Sequence, residues 1–214
     1  PVALKVLSRQ SGRREDYVEA FHNEVHAIAS LHHPSIIEVL DAGFIPEAAE
    51  RNSHHRLLAG SPYLAMEYAQ YGSLSDRVEG MYWAEVKHVA LNVLDALAHA
   101  HARGMVRRDL KPQNILLGVG LRGLTKLTDF GLAHARGEEF CSDMSEIGWG
   151  TPTYMSPEQF RGQWRAYGPW TDLYALGCMV FELVTGQPPY LGKNTWELGK
   201  LHLSSPIPSP EPQF

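Results

Sequence analysis

Val106-Arg107-Arg108-Asp109-Leu110-Lys111-Pro112-Gln113-Asn114 gathers a carboxylate, an ammonium and an amide into one short loop. Pro112 fixes a backbone angle in the middle of it, so the three polar groups can be held with little flexibility. On either side of the glycine-rich stretch that follows, Ile115–Leu117 and Leu124–Leu127 read as two short strands. Asp129-Phe130-Gly131 comes at the exit of the second strand, fifteen residues past Asn114. A carboxylate and an amide converging from neighbouring strand ends are hard oxygen ligands, suited to Mg²⁺ beside a phosphate. The plainer reading is a polar hairpin with a helix-capping Asp; the joint spacing of the two clusters weighs against it.

Outward from this loop, period and punctuation supply the elements. Val86, Val89, Ala90, Val93, Leu94, Leu97 and His101 share one face of a helix over Trp83–Arg103. Pro169 to Thr185 is a very apolar helix, closed by Gly186 and Pro188-Pro189. Toward the amino terminus, Tyr17, Phe21, Val25, Ile28 and Leu31 recur at helical steps, and Val2–Leu7, Ile36–Phe44 and Tyr63–Tyr68 read as strands. Pro46 to Pro62 lacks clear periodicity and is expected to be an inserted loop. From Pro206 the tail carries alternate prolines and should be extended. Strands come first and helices after, which argues for an α+β class with two segregated parts.

Composition narrows the function classes. The 214 residues are 44% hydrophobic and 20% charged, enough apolar material for a buried core. Nineteen Lys+Arg against 24 Asp+Glu give a net charge of -5, so no nucleic-acid partner is expected. Cys141 and Cys178 cannot form a disulfide framework and no Cys/His run has zinc spacing, which points to a reducing, cytoplasmic setting. The longest apolar run, Leu173–Phe181, is about half of what a bilayer requires.

These residues resemble a eukaryotic-type protein kinase, most like the Ser/Thr kinases found widely in bacteria. The resemblance implies a bilobal fold, with a small antiparallel-sheet lobe carrying one helix over residues 1–69 and a mainly helical lobe over residues 70–214. It also implies the cofactors ATP and Mg²⁺, and protein substrates bearing Ser/Thr hydroxyls. Val2-Ala3-Leu4-Lys5 looks like the strand whose Lys contacts the α- and β-phosphates, and Glu24 falls where its ion-pair partner belongs. Asp109 matches the residue that accepts the substrate hydroxyl proton, Lys111 the Ser/Thr-type lysine that steadies the transferred phosphoryl, and Asn114 and Asp129 the Mg²⁺ ligands. Met66-Glu67-Tyr68-Ala69 resembles the interlobe linker whose backbone meets adenine, with Ala3 and Leu116 packing around the base. Ser156-Pro157-Glu158 stands for the motif closing the activation segment, and Asp172 matches the anchor of the catalytic loop. Arg108 corresponds to an arginine that binds a phosphate on that segment; Ser142 and Ser145 are the candidate phosphate carriers, and Thr151 a structural hydrogen-bonding residue. The resemblance also allows a kinase homodimer for autophosphorylation.

The departures are as specific. Only four residues precede Lys5, so the stretch lacks the family's phosphate-covering glycine loop and its terminal helices and reads as an excerpt; a glycine loop upstream of Pro1 would favour an enzyme, its absence an inactive module. Gly118-Val119-Gly120-Leu121-Arg122-Gly123 fits a dinucleotide-binding pattern but sits between two strands and reads as a hairpin turn. Arg107 replaces the family's His; a guanidinium there must be paired or reach water. The alternative to an active kinase is therefore a kinase-like pseudoenzyme that binds nucleotide or partners. A small-molecule kinase is the third reading, disfavoured by Gly150–Tyr154, which resembles a peptide-docking segment.

Overall fold

The computed structural model describes residues 1–6, 21–22, 25–54, 56–78, 80–118, 125–128 and 152–211. Three strands, β1 (Val2–Val6), β2 (Val39–Phe44) and β3 (Pro62–Glu67), form an antiparallel sheet in the order β1-β3-β2. Central β3 explains the pattern Pro-Tyr-Leu-Ala-Met-Glu: Leu64 and Met66 alternate into the core at 2% and 9% exposure. Residues 21–22 and 25–29 are helical, and Phe21 and Val25 close over Ile37, Leu64 and Met66 as a first hydrophobic cluster.

A larger cluster lies in the helical part. Among the described residues, α1 (Glu47–Asn52) lies between β2 and β3, and α2 (Trp83–His101), α3 (Pro157–Phe160), α4 (Pro169–Thr185) and α5 (Thr195–Ser204) follow the sheet. Val86, Val89, Val93, Ala96, Leu97 and Ala100 of α2 face Ala175, Leu176, Met179 and Leu183 of α4. Full burial of each large aliphatic here is worth about 1.5–3 kcal/mol relative to exposure. Pro169 opens α4 where a missing N–H costs nothing, and Gly186 closes it in the left-handed region at φ 77°.

A two-stranded ribbon, β4 (Ile115–Leu117) and β5 (Thr125–Leu127), joins the two clusters. Ile36 bridges Leu127 and Ser73 bridges Leu116, while Val39 packs against both clusters. The α+β architecture thus follows the sequence reading, and so do α2 and α4. The stretch 46–62 differs: the expected loop contains α1, with Glu47 and Glu50 in its first turn and no buried residue. Its stabilisation is local; Arg51 pairs with Glu47 at 3.5 Å, and the Glu50 carboxylate accepts from the Ala59 backbone N–H at 3.0 Å. An apolar-periodicity reading is blind to a helix with no buried face. The second expected strand is also shorter than read, beginning at Val39 with a bulge before Asp41. No helix among the described residues is long and apolar enough to cross a membrane.

Candidate active site

The loop 107–114 takes its shape from α4. Asp172, fully buried, accepts the backbone N–H of Arg107 at Oδ2 (2.8 Å) and that of Arg108 at Oδ1 (2.7 Å). His101, on the last turn of α2, completes the anchor at 2.7 Å from Asp172 Oδ2. Arg108 carries a positive φ of 69°, a conformation that costs a non-glycine residue about 1–2 kcal/mol. The bonds to the Asp172 carboxylate hold it there, and Gln159 donates its Nε2–H to the Arg108 carbonyl at 2.7 Å. Gln159 is itself fixed at the start of α3, where its Oε1 accepts from Ser156 N at 3.0 Å.

This pinned turn presents the chemistry. Asp109 Oδ2 lies 2.9 Å from Lys111 Nζ, and Asn114 Nδ2 donates to Asp109 O (2.9 Å) and Oδ2 (3.1 Å). Asp109 is 49% exposed and Lys111 18%, so the carboxylate faces solvent on one side while its cation is largely shielded. The 3-10 turn Pro112–Asn114 delivers Asn114, 7% exposed, to the mouth of β4, and Thr128 donates its N–H to the Asn114 carbonyl at 3.0 Å. Asp129 follows Thr128 directly; it lies outside the described residues, as do Glu24, Cys141, Ser142, Ser145 and Thr151.

Above the loop, the expected adenine-lining residues come together around Met66. Ala3 is the β-partner of Met66, and Leu116 packs on the cluster that contains it. Lys5, half-buried and opposite Leu64, points from the same face of β1 as Ala3. Glu67 ends β3, where its N–H donates to Glu38 O at 3.0 Å; Tyr68 is 52% exposed and Ala69 half-buried. On the other side, a cavity of about 370 Å³ opens next to the loop, lined by Ser75, Asp76, Pro112, Gln113, Tyr154 and Glu182. Tyr154 donates its hydroxyl to Glu182 Oε2; burial pushes the phenol pKa up, and raises that of Glu182 too against the opposing effect of this bond.

One expectation, that Arg107 is paired or reaches water, resolves to the first alternative. Arg107 does not reach water: it is 2% exposed and engaged within the protein. Glu158 binds the Thr171 hydroxyl at Oε1 (2.7 Å), which ties α3 to α4. Residue reading missed His101 as an anchor, although a histidine among apolar positions of one helix face is a signal of a buried polar partner. It also missed Gln159 and Lys126, whose partners lie far away in sequence and leave no local trace.

Residues 1–208 match the family model for the protein kinase domain. Among curated relatives, the chain is 33% identical over 207 residues to a probable serine/threonine-protein kinase PknB of Bifidobacterium longum, covering 95% of this chain and 29% of that protein. It is 32% identical over 211 residues to the serine/threonine-protein kinase PknB of Mycobacterium leprae (97% and 32%). It is 31% identical over 211 residues to the serine/threonine-protein kinase PrkC of Bacillus subtilis (97% and 30%). The chain therefore spans about a third of the length of these relatives. Since the match takes in both the strand that carries Lys5 and the helix that carries Asp172, the chain belongs to the protein kinase domain family.

Proposed function

We propose that the protein is a Ser/Thr protein kinase that transfers the γ-phosphoryl of Mg-ATP to a protein hydroxyl. The observation that carries this reading is Asp109, held between the Lys111 ammonium and the Asn114 amide on a loop anchored to a buried carboxylate. Asp109 accepts the proton of the substrate Ser or Thr as its oxygen attacks the γ-phosphorus and ADP departs with the bridging oxygen. Lys111 neutralises negative charge on the phosphoryl in flight, and its short reach to Asp109 keeps base and cation on one side of the reaction. Ala3 and Leu116 supply apolar surface around the base, with the backbone of Glu67–Ala69 at its edge.

The donor set suits Mg²⁺. The Asn114 amide nitrogen is committed to Asp109, which leaves its oxygen as a hard ligand, and Asp129 would add a carboxylate. The bound ion would neutralise and orient the phosphates. Arg108, stacked 5.6 Å over the Tyr167 ring, would meet a phosphate carried by Ser142 or Ser145 and order the segment between Asp129 and Glu158.

The test is Asp109→Asn in the full-length protein. Transfer of labelled phosphate to a generic Ser/Thr acceptor should fall by about 10²–10⁴-fold while ATP still binds. Phosphosite mapping of the wild-type reaction should find Ser142 or Ser145 modified. Turnover by the variant at the wild-type rate would remove Asp109 from the reaction, and an unmodified pair of serines would remove the regulatory part.

A further inference from the structure

Lys126 takes no part in the chemistry above, yet it ends on Glu67, within the interlobe linker. Its Nζ forms an ion pair with Glu67 Oε1, and the two side chains are only 21% and 29% exposed. Glu67 Oε1 is shut off from solvent, so its charge is met by the lysine and not by water. The pair thereby differs from freely solvated surface pairs, whose contribution is small.

The two ends of the contact are unequally fixed. Thr125 and Leu127 turn into the core at 2% and 1% exposure, which sends Lys126 to the opposite face of β5, across from Leu116. The strand is held by β4 on one edge and by residues 35–37 on the other, where Leu127 N–H donates to Ser35 O and Leu127 O accepts from Ile37 N–H, each at 2.9 Å. Glu67, by contrast, closes β3, and the next backbone attachment is at Gly72, whose carbonyl accepts from Leu117 N–H at 3.0 Å. The stretch 68–71 hangs between these two points, and three of its four residues, Tyr68, Gln70 and Tyr71, are exposed.

We infer that the Lys126–Glu67 ion pair is a strap that sets the height of the interlobe linker over β4 and β5, which makes Lys126 a positioning residue for the nucleotide. The inference rests on the nucleotide-site reading given above. A linker held at Glu67 keeps its backbone groups at one distance from Leu116, the residue cross-strand to Lys126. Without the lysine, a shielded carboxylate oxygen has to move toward water and takes the linker with it.

The experiment uses the full-length protein. Calorimetric titration with ATP, without acceptor, gives Kd; steady-state assays with a generic Ser/Thr protein give kcat. Lys126→Met should raise the Kd for ATP roughly three- to tenfold and leave kcat within about twofold, the split of lost binding and not lost chemistry. Lys126→Arg and the exchanged pair Lys126→Glu with Glu67→Lys should both recover the wild-type Kd. Should Lys126→Met not fold, Glu67→Gln removes the charge at nearly constant shape and should show the same rise in Kd. An unchanged Kd in Lys126→Met, or an exchanged pair no better than the single variants, overturns the strap. A wild-type protein that binds no ATP overturns the nucleotide reading itself, which separates the two failures.

Discussion

Asp172 does more for the loop than any residue within it. Its two carboxylate oxygens take the N–H groups of Arg107 and Arg108, and His101 shares one of them. Asp172→Ala should leave both N–H groups without an acceptor, at about 1–3 kcal/mol for the buried one of Arg107 and less for the half-buried one of Arg108. Arg108 would then relax from its positive φ, and the resulting shift of Asp109 should lower kcat roughly a hundredfold. Urea unfolding and a rate assay on the same preparation check both. His101→Phe should cost less in each, since the backbone bonds survive. At this scale the sequence was most legible where residues act together within a short stretch: Asp109, Lys111 and Asn114 were all readable from one loop. His101 and Gln159 were not, because their partners stand 71 and 51 residues away.

Helix α5 shows how one buried side chain can seat an element. His202, 6% exposed, shares a hydrogen bond with the Tyr174 hydroxyl at Nδ1 (2.8 Å), and the rings of Phe160, Tyr174 and Tyr190 surround it at 5.2, 5.8 and 4.8 Å. Burial drives its pKa down to about 4, against a smaller opposing effect from the Thr153 backbone. A histidine depressed in the folded state is neutral there while the unfolded chain takes up a proton, so its contribution is complete above about 6.5 and is lost as pH falls toward 4. Tyr174, Tyr190 and Cys178 nearby stay protonated throughout this window; burial pushes the Cys178 thiol up to about 12. Glu182, raised by burial, titrates with the opposite slope, so the difference between two proteins is the clean readout. Thermal melts of wild type and His202→Gln should converge as pH drops from 6.5 to 4; parallel curves would show that His202 does not titrate as the fold requires. The elements themselves were legible where a helix buries a stripe, as in α2 and α4, and illegible in α1, which buries nothing.

Across the whole molecule, two hydrophobic clusters meet at a thin ribbon. Val39 and Leu116 contribute to the seam, and the bridges Ile36 to Leu127 and Ser73 to Leu116 stitch it. Segregation of strands and helices along the chain made this division readable. Which strand carries which polar group across the seam, as Lys126 does for Glu67, depends on register, and register is set by pairing between distant segments.

The anchoring of Arg108 by a carboxylate 64 residues further along also imposes an order on the ribosome. The loop leaves the exit tunnel first and waits for α4. At synthesis rates of roughly 5–20 residues per second, that wait lasts about 3–13 seconds. During it the nascent chain already displays Asp109, Lys111 and Asn114 but has no Asp172 to pin the turn that carries them. A message broken before the codon for Asp172 would encode every polar group of the loop and still not encode the loop's geometry.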